Sequence, residues 1–344
     1  MNIRFLGLAL CITTSCRVEF GPPNAGSQPS AAGDAPKGEV WIYTSMYQSV
    51  VDDLTPMLRE ALPEVQVRWY RAGSEKVAQR AEAEWSSGGT KACLLMTSDP
   101  FWYDDLASQG RLKPHFSPNI LELDRGFVDA KARWSTARIS LMVMSVNETR
   151  LSADEAPNRF SDLSDPVWKD RITMGDPLSS GTMFTTLAFW DTRESWSFVE
   201  SLRSNGLVAA GGNSSVLTRI ETGEREVGVV LLENLLSAAE NNSPAKAVFP
   251  EDGAIAIPGP IALTSDCSND QAARAVYDII QSEAGQKAMV AGKMYSAMPG
   301  VAPPAGAPSL DSIEVRPWSS AFMTGVQERR DALKEQWASL ISGP

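Results

Sequence analysis

The sequence predicts an α/β fold on a largely parallel sheet, and two observations carry that expectation. Short β-rich runs alternate with segments of helical period. The chain beyond its polar leader region is also long enough, at about 300 residues, to fill two moderate cores. The body opens with the strand Glu39-Val-Trp-Ile-Tyr-Thr44 and the polar loop Ser45-Met46-Tyr47-Gln48. Val50, Val51, Leu54, Met57, Leu58 and Leu62 then recur at helical spacing. Val65 to Tyr70 reads as a second strand, Glu75 to Trp85 as a second helix, and Ala92 to Thr97 as a buried third strand. In such βαβαβ units ligands bind outside the carboxyl ends of the strands, so the loops after Tyr43, Tyr70 and Met96 are the candidate ligand loops.

A second unit of similar style starts near Ile139–Ser145. It includes Arg171–Asp176, a helix from Thr182 to Trp190 and the strand Val227–Leu232. Gly259–Thr264 and a helix from Asn269 to Ile280 read as a return to the first unit. The closing segment Ser319–Leu340 has Phe322, Val326, Leu333, Trp337 and Leu340 at spacings that let a helix pack there. This gives lobe 1 as 38–137 plus 259–344 and lobe 2 as 138–258.

Upstream, Arg4 precedes about ten mostly apolar residues, too few to span a bilayer, which reads as a secretory signal. Thr13-Thr14-Ser15-Cys16 looks like a bacterial lipobox, although Thr13 stands where Leu is commoner. The expectation is residues 1–16 as a lipoprotein signal with Cys16 lipidated; the alternative is simple cleavage. Residues 17–37, rich in Gly, Pro, Ser and Ala, cannot bury enough apolar surface to order themselves and read as a tether reaching roughly 25 Å. The expected location is the periplasm or cell envelope, with membrane attachment through the lipid. Of four cysteines, Cys93 and Cys267 then remain in the body, either bridged in an oxidising compartment or separately buried.

The net charge of −11 disfavours nucleic acid, whose binders carry basic patches. The single histidine, His115, sits in the Pro-rich segment Lys113–Pro118 and reads as a surface loop residue. With no Gly-x-Ser-x-Gly, His-Glu-x-x-His or Cys-x-x-Cys pattern, the inventory argues against an enzyme.

The sharpest constellation is Asp176-Pro-Leu-Ser-Ser-Gly-Thr182, between a strand and an apolar helix. Gly181 lets backbone amides approach a ligand, Ser179, Ser180 and Thr182 add hydroxyls, and the helix start favours an anion. An ordinary N-cap would read the same way. Phe101-Trp-Tyr103 is either core or a pocket wall, and Gly211–Ser215 either a plain turn or a source of polar contacts.

Trp168–Thr182, Tyr70–Glu75, Phe249–Gly253 and Ile257–Leu263 together resemble the ferric-ion-type periplasmic solute-binding proteins of ABC importers, a superfamily that includes phosphonate and phosphate-ester binders. The resemblance runs from about Val40 to the C-terminus. It implies a type II periplasmic-binding-protein fold: two lobes with mixed sheets, joined by two crossover strands near Thr136–Ser140 and Ile255–Pro260. It also implies delivery of a solute to an ABC permease by a monomer without a cofactor. Where iron binders place His, Glu and a Tyr pair, this sequence has Tyr47, Ser98 and Leu235-Leu236, so the expected ligand is a small anion, with phosphonate or phosphate ester favoured and no metal. Ser45 and Ser74 are expected to face Ser179–Thr182 across the cleft. Asp99 and Glu233 either remain solvated loop acids or, turned inward, pair with a ligand amine such as that of an aminoalkylphosphonate. An atypical ferric-ion binder and a ligand-loaded partner of a receptor kinase are the alternatives.

Overall fold

A computed structural model of the chain describes residues 35–119 and 128–343; the leader, Cys16 and nearly all of the expected tether lie outside them. The first half alternates strand and helix: β1 (Gly38–Thr44), α1 (Gln48–Ala61), β2 (Val65–Arg71), α2 (Ser74–Ser86), β3 (Leu94–Met96), α3 (Pro100–Ser108) and a short β4 (Leu112–Lys113). The chain then follows β5 (Ser135–Asn147) into a second half of β6 (Ile172–Met174), α4 (Gly181–Arg193), α5 (Trp196–Ser204), β7 (Val208–Ala209), α6 (Asn213–Glu221), β8 (Val227–Leu231), α7 (Leu232–Ala239) and β9 (Ala245–Val248). It returns along β10 (Ala254–Thr264), adds α8 (Asp270–Gln281), α9 (Glu283–Ala291) and β11 (Val315–Arg316), and closes with α10 (Ser320–Ser342).

Among the described residues the strands form one mixed sheet in the order β2-β1-β3-β10-β5-β8-β6-β7, with β4 and β11 beside β10 and β9 beside β5. Parallel pairing, which the alternating pattern predicted for most of the sheet, is confined to β2-β1-β3, to β8-β6-β7 and to β11 on β10. β5 and β10 run antiparallel to each other and to their neighbours β3 and β8, because each carries the chain between halves in the opposite direction. Both are buried along their full length, which explains their continuous apolar runs. β10 runs as a single strand through Pro258-Gly-Pro260, where the sequence placed a crossover. Its register with β5 shifts between Gly259 and Pro260, an irregularity that accommodates prolines lacking a ladder N–H.

Cys93, just before β3, is bonded to Cys267, just after β10, with Cα atoms 4.6 Å apart. α10 packs on the first half, as expected, through α3, and also on α4 and α5 of the second. Its Phe322, Val326, Leu333 and Trp337 are buried in the same core as Phe184, Leu187 and Trp190 of α4. Phe322 stacks on Phe189 with centroids 4.0 Å apart and meets Phe101 of α3 edge-on. Phe101, Trp102 and Tyr103 are core rather than pocket wall. His115 is not a free surface residue: its Nε2 lies 2.7 Å from Asp278 Oδ1 and its Nδ1 2.9 Å from Arg274 Nη1.

Candidate functional site

The carboxyl ends of β1, β3 and β8 and the start of α4 converge on a polar cleft of about 200 Å³ between the halves. This volume is below the roughly 300–1,000 Å³ of drug-sized sites, so the cleft suits a small solute. A larger hollow of about 380 Å³ at the outer edge of β2 is lined by Thr55, Arg59 and residues 63–68, which are mostly exposed, and offers no comparable convergence of buried polar groups.

Eight of the ten predicted residues line the cleft: Ser45, Tyr47, Ser74, Ser98, Ser179, Ser180, Thr182 and Glu233. Ser45 follows β1 and its hydroxyl is buried without a partner among the described residues. Ser74 Oγ and Ser98 Oγ lie 2.8 Å apart, which ties the loops after β2 and β3 together. Ser180 caps α4 and its hydroxyl lies 3.0 Å from that of Thr182. The first-turn amides of a helix have no intrahelical acceptor, so α4 presents donors as well as hydroxyls.

Gly181 serves the site without lining it. A Cβ there would stand 3.1 Å from both the Ser98 carbonyl oxygen and Asp99 Cβ, so glycine is what lets α4 touch the loop after β3. Asp99 departs from both expectations. It is buried rather than solvated, and it faces away from the cleft: its carboxylate accepts from Trp102 N at 3.3 Å and pairs with Arg330 Nη2 of α10 at 2.5 Å. Glu233 has the inward alternative. It is 2% exposed, in the first turn of α7, and its Oε1 has no partner among the described residues. Burial pushes its carboxyl up to about 7, against the opposing pull of Ser140, nearby backbone amides and Arg138.

Sequence reasoning missed the floor of the cleft. Arg138 on β5 is 5% exposed; its Nη1 donates to the Thr97 carbonyl at 3.1 Å, while Nε has no partner among the described residues. Its register partner on β10 is Gly259, where a Cβ would lie 1.5 Å from Arg138 Nη1, so the guanidinium fills the space a side chain would take. Burial lowers its pKa while the charges of Glu233 and two tyrosines oppose that shift, and a group starting so far above neutrality stays cationic. Ser140, also on β5, lines the cleft beside it. Asn213, within Gly211–Ser215, donates from Nδ2 to Thr182 Oγ1 at 3.2 Å and accepts at Oδ1 from Leu231 N at 3.3 Å. The Gly211–Ser215 stretch therefore supplies polar contacts and is more than a turn.

Tyr47 crosses the cleft, donating from its hydroxyl to Asn234 Oδ1 at 2.9 Å. Burial and the Glu233 charge push its pKa well above the ordinary phenol value, so it is a neutral donor. Leu235 and Leu236 do not line the cleft; Glu233 and Asn234, two residues earlier, do. Among the described residues no group of three or more His, Cys, Asp or Glu side chains is placed to hold a metal ion.

Comparison with known proteins fits this architecture. The fold is shared with iron-bound HitA from Pseudomonas aeruginosa, at a TM-score of 0.77 and 16% identity over 87% of this chain and 99% of that one. It is shared equally with AfuA from Actinobacillus pleuropneumoniae, solved with fructose-6-phosphate bound, at a TM-score of 0.78 and 22% identity over 90% and 100%. These are type II periplasmic binding proteins, and at such identities the likeness establishes the fold alone. An uncharacterised protein of Haemophilus influenzae is 25% identical over 330 residues, 92% of this chain and 94% of its own. The profile described as bacterial extracellular solute-binding protein matches residues 91–319, more than half of the sequence, and the chain belongs to that family, the solute-binding components of ABC importers.

Proposed function

We propose that this protein captures a small phosphate ester or phosphonate in its cleft, while anchored at the cell envelope through Cys16, and passes it to an ABC permease. The observation that carries this reading is Arg138: a buried guanidinium on the cleft floor with an uncommitted Nε, facing hydroxyls of Ser74, Ser98, Ser180 and Thr182. A buried charge left short of partners is costly and gains most from an oppositely charged ligand. Tetrahedral oxyanions suit many convergent N–H and O–H donors. Glu233, inward and short of one partner, suits a ligand that also carries a hydroxyl or ammonium group, as sugar phosphates and aminoalkylphosphonates do. The fructose-6-phosphate bound to AfuA supports the first of these classes.

Ferric ion fits these donors poorly. A trivalent cation prefers carboxylate and phenolate oxygens, whereas this cleft offers a cationic arginine, neutral hydroxyls, an un-ionised Tyr47 and one acid held near pKa 7. The iron bound to HitA is therefore not carried over as this chain's cargo.

Capture works by population shift. A solute touching both halves binds the closed arrangement more tightly than the open one and moves the equilibrium by that difference. β5 and β10 are the hinge strands of this reading. The test is a thermal-shift screen of the purified protein against phosphate esters, phosphonates, carboxylates and ferric citrate, run beside Arg138→Met. The reading expects stabilisation by a phosphorus oxyanion that Arg138→Met abolishes. Stabilisation by iron alone, or by the same oxyanion in both proteins, overturns it.

A further inference from the structure

The geometry points to α10 as an inter-lobe clasp, in which Arg330 and Lys334 are positioning residues that hold the cleft loops closed without touching the solute. α10 is attached to the two halves by different forces. Toward the second half it buries Phe322, Val326, Leu333 and Trp337. The Arg330 and Lys334 cations sit over the ring of Phe184, 5.7 and 5.3 Å from its centroid. Toward the first half it adds to the edge-on contact of Phe322 with Phe101 a set of charged and polar contacts. Arg330 pairs with Asp99 at 2.5 Å and lies 4.0 Å from Glu75; Lys334 pairs with Glu75 at 2.9 Å; Gln327 Nε2 donates to Asp105 at 3.0 Å.

The acids that α10 grips are the immediate neighbours of two cleft serines. Glu75 follows Ser74 at the start of α2, and Asp99 follows Ser98 at the start of α3. Ser74 and Ser98 bond each other inside the cleft while their neighbours are held from behind. On the second-half side, Trp337 Nε1 donates to Asp176 Oδ1 at 3.2 Å, at the loop that carries Ser179 and Ser180. One helix thus backs three of the loops that face the cleft. Glu75 and Asp99 are both buried, and the Asp99 charge raises the cost of ionising Glu75, so without the α10 cations the two acids would repel one another and separate. Apolar packing ties α10 durably to the second half, and the charged contacts to α2 and α3 are the ones that separate when the halves part.

The inference rests on the cleft being the solute site, and its test uses no ligand, so failure of the anion reading leaves it standing. Hydrogen exchange followed by mass spectrometry on the purified, ligand-free protein compares wild type, Arg330→Met/Lys334→Met and Arg330→Lys. The readout is the amides around Tyr47 and Asn234, which bridge the halves away from the α10 ion pairs. The double variant should exchange there roughly tenfold faster, with β5 and β10 unchanged and Arg330→Lys near wild type. Acceleration confined to α10, α2 and α3, or none at all, overturns the clasp. Should the double variant fail to fold, Lys334→Met alone gives the same two outcomes.

Discussion

Two arginines are buried against β10, and they are partnered in opposite ways. Arg316, on β11 beside Ile255, is 2% exposed, pairs with Glu194 at 2.8 Å and Asp252 at 3.2 Å, and donates to the Gly253 carbonyl at 3.0 Å. Arg138, on β5 beside Gly259, has one carbonyl, no ion pair within 4 Å among the described residues, and a free Nε. A buried cation paired with two acids serves the fold by holding them; one with no acid in ion-pair range at a cleft is held for something that arrives later. Burial alone does not separate structural from functional charges, whereas the count of acidic partners does.

The sharpest way to break this contrast is to remove each arginine. Arg316→Met leaves Glu194 and Asp252 facing each other without their cation and should cost about 3–5 kcal/mol in urea unfolding. Arg138→Met should leave ligand-free stability unchanged or raised, yet weaken binding of the phosphate ester that stabilises wild type most by about 2–5 kcal/mol in calorimetry. Gly259→Ala sharpens the same point, because its Cβ would occupy the Arg138 Nη1 position. It should weaken binding in the same direction with the arginine still present. If Arg138→Met unfolds the protein as Arg316→Met does, the contrast fails.

Glu233 extends the comparison to pH. Its folded carboxyl, raised from 4.5 to about 7, keeps a proton that the unfolded chain releases. Its contribution is therefore fully present below about pH 4.5 and is lost as pH rises through 7, a difference of about 3 kcal/mol. Glu233→Gln should remove that slope, read as the change in unfolding free energy between pH 5 and pH 8 for variant against wild type. An equal slope in both would assign the titration elsewhere. The smallest expected effects are at the mouth of α4. Ser180→Ala or Thr182→Val should weaken anion binding by about 1.5–3 kcal/mol with the fold intact, and unchanged affinity in both would remove those hydroxyls from the site.

Much of this was legible in the sequence where local rules apply. The alternation through β1, β2 and β3 and the Ser-Ser-Gly-Thr start of α4 come from nearest-neighbour chemistry, and they placed seven cleft residues; Glu233 came from the family resemblance. Arg138 was illegible for a physical reason: its place depends on a β5–β10 register that sets it opposite Gly259 across more than a hundred residues of chain. Asp99 and Glu233 looked alike, each an acid just beyond a strand. Only packing tells them apart, since α10 supplies Arg330 to Asp99 and nothing comparable to Glu233. The same long-range packing set α10 against both halves, because its apolar spacing fixed the existence of a helix and left its docking face open.

The most direct test of the central claim is a crystal structure of the protein loaded with the phosphorus compound that stabilises it most. The account predicts oxyanion atoms within hydrogen-bonding distance of Arg138 and of the Ser180–Thr182 helix start. A ligand seated elsewhere, or a metal ion on Tyr47 and Glu233 with Arg138 untouched, would contradict it.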